Sequence, residues 1–277
     1  MAAIFITGSA DGLGQLAARR LVALGHDLVL HGRNGDRAQQ ALRAVPGART
    51  ALEGDLASIE QTRALAQQAN KAGPFQAVIH NAGVFRPNGE RRETVDGLDD
   101  VFAINVLAPY LLTALITGTQ RLIYLTSGLH YGGNPDMRDL QSRRQGWNGS
   151  QAYANSKLFD VVLAFAVARL WPHLLSNAVD PGAVPTKMGG PFAPGNLEEG
   201  VATQVWLAFS EERGATVSGR YFHHMQSRTA HPAASDATIQ NGFLAACEQL
   251  TGVRLGSASQ ELTIDAGSKE DDAGGHA

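Results

Sequence analysis

A glycine-rich turn, Thr7-Gly8-Ser9-Ala10-Asp11-Gly12-Leu13-Gly14, directly follows the apolar run Ala3-Ile4-Phe5-Ile6. After it comes a stretch with Leu16, Ala17, Arg20, Leu21 and Leu24 at helical spacing, closed by Gly25. A buried strand that runs through a tight glycine turn into a helix is the opening unit of a parallel α/β sheet. The helix N-terminus offers unpaired N–H groups and a partial positive charge, so the turn can seat a pyrophosphate. In this reading Gly8 allows the turn, Gly12 leaves room for phosphate, and Gly14 permits close packing.

The same alternation continues along the chain. Strands are expected at Asp27 to His31, Arg49 to Glu53, Gln76 to His80, Arg121 to Thr126, Leu174 to Val179 and Gly219 to Phe222. Helical patterns lie at Asp36 to Ala44, Ser58 to Ala72, Leu98 to Leu115, Ser150 to Trp171, Leu197 to Ser210 and Ala234 to Leu250. Ser58 and Gln61 have capping-box spacing. The expected fold class is α/β, a single-domain doubly wound parallel sheet with helices on both faces. Residues 1–267 are read as that domain, and Ser268 to Ala277 as a disordered tail.

Length and composition agree. The chain has 277 residues, 44% of them hydrophobic, which is enough for one large core. Its net charge of −3 provides no basic field for nucleic acid or anionic lipid. Cys247 is the single cysteine, so no intrachain disulfide can form and a cytoplasmic setting is expected. No signal segment and no membrane-spanning run is read. His223 and His224 have no third ligand nearby, so no metal is expected.

The second strand ends in His31-Gly32-Arg33-Asn34, with no acid before Asp36. An acid there holds a ribose 2′-hydroxyl, whereas arginine suits a 2′-phosphate. Arg33 and Asn34 therefore point to NADP rather than NAD. Asp55 and Leu56, after the third strand, are placed beside adenine; a capping role for Asp55 is the alternative.

Tyr153 and Lys157 are four residues apart on a predicted helix and share one face. An ammonium beside a phenol stabilises phenolate and is expected to lower the tyrosine pKa. Ser127, at the end of the fifth strand, can hold a substrate oxygen.

These motifs together resemble the short-chain dehydrogenase/reductase superfamily over roughly residues 3 to 225. The carriers are the glycine turn, Asn81-Ala82-Gly83 after the fourth strand, Asn105 in the next helix, the Ser127/Tyr153/Lys157 set, and Pro181-Gly182-Ala183-Val184-Pro185-Thr186. The long Ser127–Tyr153 gap, the His-Gly-Arg-Asn strand end and Gly219-Arg220-Tyr221-Phe222 are similar to the retinol-dehydrogenase-like and protochlorophyllide-reductase-like branch.

The resemblance implies a Rossmann fold and an NAD(P)-dependent oxidoreductase. Tyr153 becomes the acid/base, Ser127 orients the substrate, Lys157 holds the nicotinamide ribose, and Asn105 supports a proton relay. It also implies cofactor contacts from Thr7, Gly8, Ser9, Asp11, Gly12, Leu13, Gly14, Asn81, Ala82, Gly83, Pro181, Gly182, Val184 and Thr186. Asp11 stands where NADP-using relatives often carry a basic residue. The short span from Asn105 to Ser127 argues against a tetramer and leaves a homodimer open.

The expected reaction is hydride transfer between nicotinamide and an apolar or aromatic carbonyl or alcohol. Double-bond reduction and a non-catalytic nucleotide sensor are the alternatives. An epimerase is disfavoured, because its glycine spacing and extra substrate domain are missing. Leu129 to Gly149 and Gly182 to Asn196 are expected to close over the nicotinamide and select the substrate, with Met188, Phe192 and Leu197 in the lid. His130, Tyr131 and Trp147 are candidate pocket residues.

Overall fold

The structure is a computed structural model that describes residues 1–143 and 146–256. The expected domain end at 267 and the tail Ser268 to Ala277 lie outside the described residues. Eight strands form one sheet in the order β3-β2-β1-β4-β5-β6-β7-β8. They are β1 (Ala3–Ile6), β2 (Asp27–Gly32), β3 (Thr50–Glu53), β4 (Ala77–His80), β5 (Arg121–Leu125), β6 (Leu175–Asp180), β7 (Arg220–His223) and β8 (Gln226–Arg228). Seven run parallel, and β8 pairs antiparallel with β7.

Alternation along the strands builds two cores. Ile4 and Ile6 face one side with Leu28, Leu30, Ile79, Ile123 and Val179, beneath α1 (Gly12–Ala23), α2 (Gly35–Ala44) and α7 (Leu197–Phe209). Phe5 faces the other side with Val29, Val78, Leu122 and Ala178. That side is covered by α3 (Ile59–Ala72), α4 (Asp100–Phe102), α5 (Ala108–Leu115), α6 (Gly149–Leu170) and α8 (Ala237–Thr251). Strands covered on both faces read as continuous apolar runs, which is why the sequence reveals them.

The helix ends follow local chemistry. Ser58 Oγ accepts from the Gln61 N–H, but the Gln61 side chain turns to the Asp55 N–H, so only half of the expected capping box forms. Gly25 adopts φ 81 and donates to Val22 O while His26 donates to Leu21 O, a Schellman stop.

Three expectations need correction. The sheet is not wholly parallel, because β8 was not foreseen: its Gln-Ser-Arg is short, polar and exposed. The β7–β8 turn places His224 and Met225 at φ 48 and 61, without the Asn-Gly signal such turns usually carry. The expected helix from Leu98 to Leu115 begins at Asp100 and is interrupted by a π-turn, Ala103–Leu107, centred on Asn105. The expected last helix starts later, after a 3-10 turn at Pro232–Ser235.

Candidate active site

The sheet order reverses between β1 and β4, and open α/β sheets bind ligands at the carboxyl ends of the strands on either side of such a point. The glycine turn lies there, tied on two sides. Thr7 Oγ1 accepts from the N–H groups of Asn81 (3.0 Å) and Ala82 (3.1 Å). Asn81 Nδ2 donates to Thr7 O and Gly8 O. On the other side, buried His31 accepts from the Gly8 N–H at 3.0 Å and bonds Gly54 O through Nε2. Burial pushes the His31 pKa down to about 4, so the ring is neutral, as an Nδ1 acceptor must be.

The three glycines play distinct parts. A Cβ on Gly8 (φ 64) would lie 2.8 Å from Ala82 Cα. A Cβ on Gly14 would lie 2.3 Å from Asn81 Nδ2, so the close approach is to the loop after β4. A Cβ on Gly12 (φ 56) would meet nothing within 4 Å, which leaves open space at the start of α1. Asp11 precedes α1 without capping it, while Asn34, Ser58, Asn148, Asn196 and Asp236 cap α2, α3, α6, α7 and α8. An uncapped N-terminus beside open space fits a pyrophosphate. Leu13 packs against the core at the start of α1.

Several expected contacts are occupied within the protein. The Ser9 side chain is buried, donates to Ile6 O and accepts from the His31 N–H, so it braces the turn. Asn34 Oδ1 caps α2 through the Arg37 N–H. Asp55 Oδ1 accepts from the Ala57 N–H, and Leu56 is buried. Arg33 is exposed at the end of β2. Asp11 binds Arg37 at 2.8 Å and Lys187 at 3.2 Å. Although burial alone would raise the Asp11 carboxyl, these two cations hold it below its usual range. Sequence reasoning missed both cations, because they lie on different elements.

Tyr153 and Lys157 lie on one face of α6, as their spacing predicts. The Lys157 ammonium sits 5.6 Å from the Tyr153 ring centroid. It donates to Leu125 O and Asp160 Oδ2, both at 2.8 Å. Thr126 Oγ1 donates to Lys157 O at 2.6 Å and so locks the end of β5, just before Ser127, onto α6. Ser127 caps a 3-10 turn at Gly128–Gly132, its hydroxyl accepting from the Leu129 N–H, and its side chain favours the Tyr153 phenolate. Asn105 Nδ2 donates to Val84 O and Ser156 Oγ, and its Oδ1 accepts from the Val84 N–H. Its side chain therefore fastens the loop after Gly83 to α6. A Cβ on Gly83 would lie 3.4 Å from Asn105 Oδ1 and 3.6 Å from Lys157 Nζ. The π-turn presents Asn105 at this junction, a frequent use of such turns at functional sites.

The expected lowering of the Tyr153 pKa is corrected. Burial raises it, and the carboxylates of Asp160 and Asp180 add to the rise; Lys157 and Ser127 only partly offset them. In this structure the Tyr153 hydroxyl is therefore protonated at neutral pH.

The segment from Pro181 to Asn196 reaches the phenol through Met188. Gly182 (φ 78) donates to Asp180 Oδ1, and Val184 is buried. Thr186 Oγ1 accepts from the Gly189 N–H, which leaves its own proton available. Met188 Sδ lies 3.8 Å from Tyr153 Oη, and Phe85, which was not foreseen, lies against the Tyr153 ring with centroids 4.5 Å apart. Phe192 is 95% exposed. Among the other expected pocket residues, His130 is buried against Tyr131 and Tyr221 and bonds Ser127 O. Trp147 donates to Gly89 O. His223 and His224 stack on each other beside Gly182.

A glycine turn and uncapped helix N-terminus at the switch point, with buried Tyr153 and Lys157 on α6 and half-buried Ser127 after β5, are the features of a nicotinamide-nucleotide-dependent oxidoreductase. A model of the short chain dehydrogenase family matches residues 2–122. The chain is 43% identical over 257 residues to the uncharacterized oxidoreductase AN7799 of Emericella nidulans, covering 91% of this chain and 98% of that one. It is 29% identical to mouse retinol dehydrogenase 14, covering 90% and 86%. Its fold is similar to that of a Mycobacterium paratuberculosis protein (TM-score 0.78, 23% identity, 92% and 95% covered). It is also similar to a blue fluorescent protein from a metagenomic library in complex with NADPH (TM-score 0.64, 25% identity, 80% and 95% covered). The chain belongs to the short-chain dehydrogenase family, in its retinol-dehydrogenase-like branch. It is an oxidoreductase that transfers hydride between a nicotinamide cofactor and a carbonyl or alcohol. Among the described residues no helix is long and apolar enough to cross a membrane.

Proposed function

We propose that the protein is an NADP(H)-dependent reductase or dehydrogenase of apolar carbonyl or alcohol substrates, with Tyr153 as its acid/base. The observation that carries this reading is the buried Tyr153 hydroxyl. It lies beside Ser127 and the Lys157 ammonium, and beneath Phe85 and Met188. The pyrophosphate belongs at Gly12 and the first turn of α1. The nicotinamide ribose belongs beside Lys157 and Gly83, and the ring beside Pro181, Gly182, Val184 and Thr186. When bound, the cofactor supplies or accepts the hydride.

In the reductive direction Tyr153 gives its phenolic proton to the substrate oxygen, and Ser127 donates a second hydrogen bond to that oxygen. The Lys157 ammonium stabilises the phenolate left behind. Asn105 supports this arrangement by fixing the loop after Gly83 against Ser156.

The preference for NADP rests on Arg33, exposed at the end of β2, with Arg37 one turn into α2. A phosphate-to-arginine contact is worth roughly 1.5–3 kcal/mol, about ten- to a hundredfold in affinity. Arg33→Ala should weaken NADPH binding by that factor and leave NADH binding nearly unchanged. Fluorescence titration of both nucleotides checks this; an equal loss for both places the 2′-phosphate elsewhere.

An apolar substrate is argued from Met188 and Phe85, which lie against the tyrosine that must meet the carbonyl oxygen. Met188→Ala should raise KM for apolar ketones about five- to tenfold, the loss expected for roughly 1 kcal/mol of thioether contact. A panel of aldehydes, ketones, quinones and charged keto acids gives the ranking. An unchanged ranking in the variant means that residues 182–196 do not form the substrate wall.

A further inference from the structure

The mechanism leaves one buried charge unused. Asp160 is on α6, one turn beyond Lys157, in the otherwise apolar run from Leu158 to Phe165. Its carboxylate is 3% exposed and lies 2.8 Å from Lys157 Nζ, whose side chain is 6% exposed. A lysine ammonium has three protons to donate. Here one goes to Leu125 O and one to Asp160, which leaves one for the side bounded by Gly83 and Tyr153.

We propose that Asp160 is a positioning residue of the catalytic site: its carboxylate anchors the Lys157 ammonium and offsets its charge, so that the pair, rather than the lysine alone, sets the field at Tyr153. The proposal rests on the reading of Tyr153 as acid/base.

A lone buried ammonium would be costly and would tend to lose its proton, whereas a carboxylate in contact keeps it charged. Burial opposes the Lys157 charge, but Asp160 and Tyr153 more than restore it and hold the lysine above its usual range. This support has a cost. The same carboxylate acts on Tyr153 against phenolate, together with burial and Asp180. Asp160 thus secures the ammonium and in exchange keeps the tyrosine protonated.

The other charged and titratable groups around this set come from every neighbouring element. Tyr124 on β5 feels Asp160, and its pKa is raised mainly by burial. His80 on β4 stacks on Tyr124 and is held neutral by burial. Asp180 on β6 bonds the Tyr221 hydroxyl on β7 and faces His223. His130, from the 3-10 turn, feels Asp180 and His231. Asp100, at the start of α4, is paired with Arg86. None of these touches Lys157 Nζ, so Asp160 is the carboxylate that answers it.

The test is titration of the ligand-free protein by carbon-13 NMR of labelled tyrosine rings, with Tyr153→Phe identifying the Tyr153 signal. In Asp160→Asn the amide oxygen can still accept from Lys157 while the negative charge is gone. The Tyr153 midpoint should then move by about one pH unit, the size of shift a neighbouring charge produces, downward if Lys157 keeps its proton and upward if the unpaired ammonium loses it. An unchanged midpoint overturns the proposal, and a purely structural role for Asp160 would lower the melting temperature without moving it.

If Asp160→Asn does not fold, the wild-type protein still tests the coupling. Burial pushes the Asp160 pKa above the usual carboxylate range, so the Tyr153 ring carbon should show an inflection at the pH where the Asp160 carboxyl carbon titrates. Its absence overturns the proposal. Failure of the catalytic reading is seen separately, as full activity in Tyr153→Phe, whatever Asp160→Asn does to the titration.

Discussion

Tyr153→Phe should lose about 10²- to 10⁴-fold in turnover, the usual contribution of a positioned general acid, while nucleotide affinity stays nearly unchanged. The reason is that the substitution removes only the hydroxyl. In the ligand-free protein that hydroxyl meets Met188 Sδ at 3.8 Å, and no backbone group depends on it. The ring remains against Phe85. Stability should therefore hold while chemistry fails, and both are measurable on one preparation by thermal melting and by NADPH oxidation with a competent ketone. Retention of more than about a tenth of the activity would assign the proton to another group.

Gly14→Ala should damage the protein before any ligand is added. The new Cβ would sit 2.3 Å from Asn81 Nδ2 and 2.6 Å from Gly8 O, the two atoms whose hydrogen bond ties the glycine turn to the loop after β4. Neither can retreat, because Asn81 also bonds Thr7 O and the Gly8 N–H is held by His31. Overpacking of this kind costs roughly 1–3 kcal/mol, and a lost hydrogen bond adds about 0.5–1.5 kcal/mol. The melting temperature should fall by several degrees and nucleotide affinity by about tenfold or more.

Gly12→Ala is the contrast. Its Cβ meets no neighbour within 4 Å, so apart from left-handed backbone strain of about 1–2 kcal/mol its main cost should appear on nucleotide binding. If the two variants behaved alike, the assignment of Gly14 to packing and Gly12 to the phosphate would be wrong.

Much of this was legible in the residue order, for reasons that are local or periodic. Strands buried on both faces are continuous apolar runs, so β1, β2, β4 and β5 announce themselves, and the glycines mark the turn between β1 and α1. The four-residue spacing of Tyr153 and Lys157 places them on one helix face without knowledge of the rest of the fold. What local pattern could not supply is β8, whose three polar residues pair only because the β7 edge is there, and the π-turn that interrupts the helix at Asn105.

The sequence by itself determined the α/β sheet, the glycine turn between β1 and α1 and the Tyr153/Lys157 pair, because each depends on neighbours in the chain or on a fixed period. Only the tertiary structure decided the charges. Asp11 proved to be paired with Arg37 and Lys187, Lys157 with Asp160, and Tyr153 shielded by Phe85 and Met188. A protonation state is set by distance and burial, which link residues far apart in the chain. That is why the tyrosine expected to be acidified by its lysine is instead held as a proton donor.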